Sequence, residues 1–467
     1  MATAGQVNGL RVSSMFNEES RVLSTFNDDS TVCVVGLGYI GLPTAALMAT
    51  RGWKVVGVDI NPRIIEQVSL GKVHIVEPDL DRLVQKVVSL GRLRTSDEPV
   101  SADVFVITVP TPLAASKQPD CGFVVSAIRS IAPKLRPGNL VILESTCPVG
   151  TTAAMSELIA SMRPDLCLPS RAAAAANVYV AYCPERVLPG RILVELQEND
   201  RSIGGVSEKC TERAVEFYRT FVKGECIGTT AAIAEMVKLS ENSFRDLNIA
   251  FANELSVICD RIGIDVWEVI RLANHHPRVK ILQPGPGVGG HCIAVDPWFL
   301  VHSAPDLSPL IRTAREVNDG KADYIYRKAH GLLEEHRDKR LACLGITFKA
   351  NIDDLRESPS LEIAERLAGK FGNRISIVEP HAAQLPCSLN NSGAQKVTLA
   401  NALASCGILL LLVDHDQFKK VSHENLAGKI IIDTRGIWKS PTSSASVRSR
   451  SNVRHFRMAS TIGSAAG

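Results

Sequence analysis

A run of glycines leads directly into a single thiol at residues 287–297, whose sequence is GVGGHCIAVDP. Glycine adopts conformations with positive φ and lets the backbone approach a ligand closely, so these glycines favour a tight loop around a bound molecule. Cys292 follows the last glycine after one residue, and Asp296 lies four residues further on. Because a thiolate is a strong nucleophile, the segment predicts a reactive cysteine with an acid nearby.

Most of the other cysteines are expected to be free, buried and inert. The chain contains 12 cysteines, and none of them form a CxxC pair. This spacing indicates neither a zinc site nor a disulfide framework. His275 and His276 are adjacent, but no acid or third histidine lies at ligand spacing, so we predict no metal site.

A long helical stretch carries polar side chains that such a thiol would need. Between residues 231 and 273 apolar residues recur at helical spacing, which predicts a long connecting helix, with or without a break. Lys238, Asn242 and Arg245 are spaced i, i+4 and i+7 and therefore share one face. A desolvated lysine can accept a proton, and lysine and amide groups can donate to an oxyanion. A solvated polar stripe is the alternative interpretation.

A glycine-rich turn after an apolar strand predicts a dinucleotide site. The turn is GLGYIG at 36–41, a helical segment follows it, and the next strand ends at Asp59. In this context Gly36 permits the tight turn, Gly38 the approach of a pyrophosphate, and Gly41 the packing of helix on strand. The N–H groups at the helix N-terminus bind phosphates. Asp59 is expected to accept from ribose hydroxyls and to favour NAD over NADP.

The order of apolar runs predicts the fold class. In the first half of the chain, strands are expected at 31–35, 54–58, 104–109, 140–144 and 178–182. Polar turns after the last three place Thr111, Thr146 and Glu185 at carboxyl ends, where open α/β sheets bind ligands. In the second half, strands are expected at 341–345, 375–378, 408–413 and 430–433. We therefore predict an α/β protein with two Rossmann-like doubly wound sheets joined by a long central helix.

The predicted elements divide the chain into five regions. They are a mobile extension at 1–30, a dinucleotide-binding Rossmann domain at 31–228, a central helical domain with the cysteine loop at 229–330, a second Rossmann-like domain at 331–439 and a disordered tail at 440–467. The net charge of +3 is too small to indicate nucleic acid as a partner. The longest apolar run is too short for a membrane span, and the acidic first residues argue against a targeting segment, so we expect a cytoplasmic protein.

Five segments carry a family resemblance. They are GLGYIGLPTA at 36–45, PERVLPG at 184–190, HPRV at 276–279, PGPGVGGHCIAVDPWF at 284–299 and ITFKANIDDLRESP at 346–359. In these segments the chain resembles the nucleotide-sugar 6-dehydrogenases that include UDP-glucose dehydrogenase, and is most similar to the branch that acts on UDP-N-acetylmannosamine. The resemblance implies oxidation of C6 of a UDP-sugar from alcohol to carboxylate, with NAD as cofactor. It also implies that the second Rossmann-like domain binds the UDP-sugar.

The resemblance assigns roles to individual residues. The implied catalytic residues are Cys292 as nucleophile, Lys238 and Asn242 for proton transfer and the oxyanion, Asp296 as an assisting acid, and Glu185 and Thr146 for positioning water. The implied cofactor contacts are Gly36, Gly38, Tyr39, Ile40, Gly41, Asp59, Arg63, Thr111, Thr146 and Arg356. The implied substrate contacts are Arg186, Val187, Lys238, Asn242, Arg245, His276, Arg278, Gly287, Phe348, Lys349 and Arg435. The apolar face of the long helix, together with the resemblance, favours a homodimer or a larger homo-oligomer.

Three other interpretations stay open at this point. The first is the same chemistry on UDP-N-acetylglucosamine or UDP-glucose. The second is a non-catalytic NAD-binding sensor or scaffold, which would have no use for the set of thiol, lysine, asparagine and acid. The third is a 3-hydroxyacid-type dehydrogenase, which shares the first domain and the central helix but requires neither the GGHC loop nor the last domain.

Overall fold

The computed structural model describes residue 26 and residues 30–438. Apart from positions 26 and 30, the extension predicted at 1–30 and the tail predicted at 440–467 therefore lie outside the described residues. The chain forms two compact units. Among the described residues, the first unit contains 26, 30–109, 126–144 and 152–231, and the second contains 110–125, 145–151 and 232–438.

The first unit is built on an eight-stranded sheet with the order β3-β2-β1-β4-β5-β6-β7-β8. The strands are β1 (Thr31–Val35), β2 (Lys54–Val58), β3 (Leu93–Ser96), β4 (Val104–Ile107), β5 (Leu140–Leu143), β6 (Tyr179–Tyr182), β7 (Arg201–Gly205) and β8 (Cys226–Thr230). The strands predicted from apolar runs are all present, with ends within two residues of the prediction. Their continuous apolar character fits a sheet that is buried on both faces.

Strands β3, β7 and β8 were not predicted. β7 has the sequence RSIGG and β8 has CIGTT, so glycine and threonine interrupt the apolar pattern. β6 and β7 pair antiparallel, whereas every other neighbouring pair of the sheet is parallel. The sheet is thus dominated by parallel pairs, and β7 is the departure from a purely doubly wound arrangement.

Helices connect the strands of the first half of the chain. They are α1 (Gly41–Thr50), α2 (Pro62–Ser69), α3 (Leu80–Ser89), α4 (Gly122–Ile131), α5 (Thr151–Met162), α6 (Pro169–Ala172), α7 (Ile192–Glu198) and α8 (Glu208–Tyr218). Short 3-10 helices lie at Ala132–Lys134 and Ala173–Ala175. Every residue of α1 up to Ala49 is buried, which makes α1 the central helix of this core.

Four helices lie between the last strand of the first sheet and the first strand of the second sheet. They are α9 (Ala231–Ile262), α10 (Val266–Ala273), α11 (Asp296–Ser303) and α12 (Pro309–Glu335). The predicted long helix is therefore broken at Gly263, which has φ +75°. Asp265 caps α10 by accepting from Trp267 N at 2.8 Å. A buried ion pair at 2.5 Å between Asp246 of α9 and Arg315 of α12 holds these two helices together.

The second sheet has five strands, all parallel, in the order β11-β10-β9-β12-β13. The strands are β9 (Leu341–Leu344), β10 (Ile375–Val378), β11 (Gln395–Lys396), β12 (Ile408–Leu411) and β13 (Ile430–Asp433). Its helices are α13 (Pro359–Phe371), α14 (Cys387–Asn391), α15 (Leu399–Ser405), α16 (Asp416–Lys419) and α17 (His423–Leu426), with a 3-10 helix at Gly372–Arg374. Ser358 followed by Pro359 predicts a helix N-cap with proline in the first turn, and Ser358 does cap α13, accepting from Leu361 N at 3.3 Å. The predicted fold class, α/β with two Rossmann-like sheets, is confirmed, and no helix among residues 30–438 combines the length and apolarity needed to span a bilayer.

Candidate active site

The thiol of Cys292 lies on the turn that starts α11. The carbonyl of Cys292 accepts from Val295 N at 3.0 Å and from Asp296 N at 2.9 Å, so the turn is hydrogen-bonded before the helix begins. Cys292 is exposed, whereas Asp296, the first residue of α11, is buried. The sequence spacing of four residues therefore places an accessible thiol beside a buried carboxyl.

Helix α9 contributes the amide and the amine of the site. Asn242 Nδ2 donates to Asp296 Oδ2 at 2.5 Å, which joins α9 to the turn that carries the thiol. Lys238 lies one turn earlier on α9 and is buried. Its charge lowers the pKa of both Cys292 and Asp296. The structure thus brings together the four residues predicted for the covalent chemistry.

The electrostatics of the site follow from burial and from these neighbours. Burial raises the pKa of Asp296 to about 6, while Lys238 and the hydrogen bond from Asn242 act in the opposite direction. Desolvation also raises the pKa of the Cys292 thiol, as does the charge of Asp296, whereas Lys238 and Arg356 lower it. The resting thiol is therefore protonated near neutral pH, and a group close to it must take its proton during attack.

The glycine loop before Cys292 is shaped by its packing as well as by its torsions. Gly290 has φ +79°, and a Cβ at this position would lie 3.0 Å from the ring of Phe348. A Cβ at Gly289 would meet the carbonyl oxygen of Glu357 at 2.4 Å. A side chain at Gly289 would therefore collide with the segment that follows β9, and one at Gly290 would crowd the same segment from a strained backbone conformation.

A relay of buried amides holds the start of the same loop. Asn253 Oδ1 accepts from Gly285 N at 2.9 Å, and Asn253 Nδ2 donates to Asn318 Oδ1 at 2.8 Å. Asn318 Nδ2 donates in turn to Asp246 Oδ1 at 2.8 Å. The sequence analysis missed this relay, although Asn253 lies on the predicted helix, because its partners are 32 and 65 residues away.

A cleft of about 210 Å³ opens between the glycine loop and the carboxyl edge of the second sheet. Four predicted substrate residues line it, namely Gly287, Phe348, Lys349 and Arg435. The other lining residues are Pro286, Ala350, Pro359, Ser360, Leu412, Val413 and Asp414. Arg435 is oriented by Asp414, whose Oδ1 accepts from Arg435 Nε at 2.9 Å. A cleft with two cationic side chains suits a phosphorylated ligand.

Other predicted residues of this unit lie outside the cleft lining. Arg356 forms an ion pair with Asp354 at 2.6 Å, and its charge also lowers the pKa of Cys292. His276 and Arg278 lie on the exposed segment after α10, and Arg245 is exposed on α9. Lys238, Asn242 and Arg245 therefore share a face that runs from buried to exposed.

A loop after β5 carries Thr146. Thr111 Oγ1 donates to the carbonyl of Thr146 at 2.6 Å, so the structure brings these two predicted residues together. The buried carboxylate of Glu235 supports the loop by accepting from Gly150 N at 2.6 Å. Cys147 Sγ lies 3.7 Å from the other oxygen of Glu235. Glu235 was not predicted, since one glutamate on a long helix gives no signal in the sequence.

The first unit contains the predicted dinucleotide cradle. Gly36 has φ +98°, and a Cβ at Gly41 would lie 1.8 Å from the Gly36 carbonyl oxygen, so both positions require glycine. A Cβ at Gly38 would meet no atom within 4 Å, which leaves open space for a ligand beside the backbone. Tyr39 and Ile40 complete the turn, and α1 begins without a side-chain cap. These features fit the pyrophosphate of NAD. Thr108 Oγ1, which was not predicted, donates to the carbonyl of Gly36 at 2.7 Å.

Asp59 lies at the end of β2 and faces this turn. Its carboxylate accepts from Leu37 N and from Asn61 N, both at 2.9 Å. Arg63 is exposed in the first turn of α2, where its N–H donates to Asn61 Oδ1 at 3.0 Å. Asp59 thus fixes the glycine turn as well as being available to a ribose. Burial lowers the pKa of His74, and the charge of Asp59 partly opposes that effect; the sequence did not indicate that these two residues are neighbours.

The carboxylate of Glu185 is held from the neighbouring strand. Glu185 is buried and pairs with Arg201 of β7 at 3.1 Å. Arg186 contacts Glu185 through its backbone N–H, at 2.7 Å, and its guanidinium donates to the carbonyl of Asp200. Val187, also predicted, is half-buried against the core.

Family comparisons match the chain in three consecutive segments. The matching domains of the UDP-glucose/GDP-mannose dehydrogenase family are the NAD binding domain at residues 30–222, the central domain at 232–320 and the UDP binding domain at 342–440.

The chain belongs to the UDP-glucose/GDP-mannose dehydrogenase family.

It is therefore an NAD-dependent oxidoreductase of nucleotide sugars.

Individual relatives cover almost the whole described chain. The NDP-N-acetyl-D-galactosaminuronic acid dehydrogenase of Ralstonia nicotianae is 53% identical over 411 residues, which are 88% of this chain and 97% of that protein. The UDP-N-acetyl-D-mannosamine dehydrogenase of Escherichia coli is 53% identical over 418 residues, 88% of this chain and 99% of that protein. Among solved structures, the UDP-D-ManNAc dehydrogenase of Pyrococcus horikoshii has a TM-score of 0.78 and 39% identity, covering 89% of this chain and 97% of that one.

Proposed function

We propose that the enzyme oxidises C6 of UDP-N-acetylmannosamine to the uronate in two steps, through a covalent adduct on Cys292. The observation that carries the proposal is the grouping of an accessible thiol with Lys238, Asn242 and Asp296. A dehydrogenase that stopped at an aldehyde would not require a nucleophilic thiol. An enzyme that continues to a carboxylate does, because the aldehyde must be converted into a second hydride donor.

In the first oxidation a base must remove the hydroxyl proton of C6. NAD, when bound, accepts the hydride from C6 in each of the two oxidations. Lys238 is the candidate base, because it is buried on α9 beside the thiol turn. A base or an ordered water within hydrogen-bond reach of the hydroxyl makes loss of the hydride possible.

In the second oxidation Asp296 is the candidate group that takes the thiol proton, and the sulfur of Cys292 adds to the aldehyde carbon to form a thiohemiacetal. Its oxygen becomes negatively charged, and Lys238 and the amide of Asn242 are the candidate donors to it. Asp296 holds Asn242 at 2.5 Å and so fixes the direction of that amide. Loss of a second hydride leaves a thioester on the sulfur. Water then adds to the thioester carbon, the C–S bond breaks, and the acid leaves the free thiol behind.

We assign the remaining predicted residues to binding and hydrolysis. Glu185 and Thr146 position the attacking water. The glycine turn of the first unit, Asp59, Arg63, Thr111 and Arg356 contact the cofactor. The substrate contacts are Arg186, Val187, Arg245, His276, Arg278, Gly287, Phe348, Lys349 and Arg435, of which four line one cleft.

We also propose the functional division of the chain and its assembly. The NAD-binding domain is 31–228, the central domain is 229–330 and the UDP-sugar-binding domain is 331–439. Large apolar side chains are exposed along α9, including Phe244, Phe251 and Ile262, at 70%, 55% and 62% exposure. This supports a homodimer or larger homo-oligomer in which α9 is covered. We place the enzyme in the cytoplasm.

The sugar is tested by a substrate panel. NADH formation is measured with UDP-N-acetylmannosamine, UDP-N-acetylgalactosamine, UDP-N-acetylglucosamine and UDP-glucose at equal concentrations. We expect the highest kcat/KM with UDP-N-acetylmannosamine and two NADH per sugar. The galactosamine substrate is the second candidate, because the Ralstonia nicotianae relative is as similar as the Escherichia coli one. NAD binding without turnover on any sugar would instead support a non-catalytic protein.

The covalent step is tested with Cys292→Ser. We expect turnover to fall by several orders of magnitude while NAD and the sugar nucleotide still bind. Cys387→Ser is the matched control, since Cys387 is also exposed and takes no part in the site. Full activity in Cys292→Ser would refute the role of the sulfur.

A further inference from the structure

A cluster of buried ionisable groups lies behind Glu185 in the first unit. Glu144 follows β5, Arg201 begins β7 and Tyr218 ends α8. Arg201 Nη1 lies 3.1 Å from Glu185 Oε2, and Tyr218 donates to Glu144 Oε1 at 2.6 Å. Cys183 also lies beside Arg201, with its Sγ 3.8 Å from Nη1. The proposed covalent chemistry uses none of these groups except Glu185.

The cluster contains two carboxyl groups but only one cationic side chain. The guanidinium of Arg201 faces both carboxyls, those of Glu185 and Glu144. The groups that face Glu185 and Arg201 from the surrounding elements are Glu144 of the β5 end, Cys183 after β6, Tyr218 of α8 and Cys226 of β8. Tyr218 and Cys183 stay neutral, because burial raises the pKa of each. One cation therefore serves two buried carboxyls, and the cluster is balanced when one carboxyl carries a proton.

Two observations identify Glu144 as the carboxyl that carries it. Glu144 Oε2 is buried and has no hydrogen-bond partner among the described residues, an arrangement that is costly for an ionised carboxylate. Burial raises the pKa of Glu144 to about 7, and the charge of Glu185 contributes to that increase. Glu185, by contrast, has the ion pair with Arg201 and lies at the carboxyl end of β6.

We propose that Arg201 is a positioning residue that holds Glu185 in place and keeps it ionised, while Glu144, bound by Tyr218, takes the proton and leaves the charge of Arg201 to Glu185. The inference rests on the proposed role of Glu185 in hydrolysing the Cys292 thioester. In that step an ionised Glu185 accepts a proton as the oxygen of water bonds to the thioester carbon. The C–S bond then breaks and releases the acid and the thiolate.

The test follows the adduct directly. Enzyme is mixed with UDP-N-acetylmannosamine and excess NAD, quenched with acid at intervals, and the Cys292 adduct is measured by mass spectrometry between pH 5.5 and 9. In Arg201→Gln we expect the adduct to form at the wild-type rate and to persist at pH 7. The acid limb of its hydrolysis should shift upward by about one to three pH units, because a buried carboxylate without its cation is protonated more readily. Arg201→Lys should restore much of the wild-type profile.

Glu144→Gln is the matched control, because it mimics the protonated carboxyl and leaves Arg201 with Glu185. We expect hydrolysis at pH 7 within about threefold of wild type and an unmoved acid limb. If Arg201→Gln does not fold, the double variant Arg201→Gln/Glu144→Gln carries the test, since it removes one buried carboxyl together with the cation. An unshifted acid limb in the variant that folds, or an equal loss at every pH, would overturn the inference while leaving the function intact. Absence of any wild-type adduct would overturn both.

Discussion

Asn242 and Asp296 are 54 residues apart in the chain, and the amide of the first donates to the carboxylate of the second at 2.5 Å. This bond joins the long helix α9 to the first turn of α11, four residues after the thiol. It therefore fixes the amide of Asn242 and the carboxyl of Asp296 relative to Cys292 by a single contact. Both residues have proposed roles in the chemistry, and a buried carboxyl such as that of Asp296 is not what stability alone would favour.

Replacing Asp296 with asparagine should stabilise the fold and impair the enzyme. Burial raises the pKa of Asp296 to about 6, so its ionised form opposes folding. The penalty is fully present above pH 6 and disappears as the pH falls below the pKa of an unfolded aspartate, about 4. We expect Asp296→Asn to gain on the order of 2 kcal/mol at pH 7, with little gain at pH 4. Melting temperatures measured from pH 4 to 8 check this, with Asp306→Asn as the exposed control.

A stability of Asp296→Asn equal to wild type at all pH values would show that the carboxylate is compensated in the folded state. The activity measurement is separate. We expect turnover of Asp296→Asn to fall by about 10- to 100-fold, because the variant no longer assists proton removal.

Breaking the amide relay at Asn253 should alter the reactivity of Cys292, although Asn253 does not belong to the group of residues around the thiol. Asn253→Ala removes the acceptor for Gly285 N and the donor to Asn318. We expect a loss of about 2–3 kcal/mol in unfolding free energy and a rise in the KM for the sugar nucleotide. Alkylation of Cys292 by iodoacetamide should also change in rate, because the loop before it is released. Asn248→Ala is the control, since Asn248 lies on the same helix and bonds only to the carbonyl of Phe244 among the described contacts; an equal effect there would rule out the relay.

Asp59 should control the affinity for the cofactor selectively. Asp59→Ala removes the acceptor for a ribose and also the bond to Leu37 N that fixes the glycine turn. We expect the KM for NAD to rise by about tenfold or more, with the KM for the sugar nucleotide nearly unchanged. Asp81→Asn on the exposed part of α3 is the control. An unchanged KM for NAD in Asp59→Ala would count against the assignment.

Replacing Arg435 should weaken binding of the sugar nucleotide and leave binding of NAD unchanged. It lines the cleft of the second unit and is oriented by Asp414. We expect Arg435→Met to raise the KM for the sugar nucleotide by about 10- to 100-fold, because Arg435 is proposed to make a charge-assisted hydrogen bond to the phosphates of that substrate. The KM for NAD should stay within about twofold of wild type. Lys420→Met, at an exposed position of the same unit, should change neither constant.

Local features of the fold could be predicted from the sequence, because they depend on neighbouring residues. The glycine turn at 36–41, the cap at Ser358 and the helical face of Lys238 and Asn242 are examples, and each depends on fewer than ten residues of chain. β7 could not be predicted, because two of its five residues are glycines. The partner of Glu185 could not be predicted either, because Arg201 is 16 positions away and the pair forms only when β6 and β7 are aligned.

A Cβ at Gly290 would lie 3.0 Å from the ring of Phe348, and a Cβ at Gly289 would lie 2.9 Å from the Cβ of Phe348. Two stretches separated by almost sixty positions therefore share one volume, and a change in either constrains the other. Gly290→Ala should be strained even when Phe348 is replaced by leucine, because the backbone at Gly290 has φ +79°, a conformation that favours glycine. Redesign of this dehydrogenase for another sugar must therefore change the glycine loop and the segment around Phe348 together.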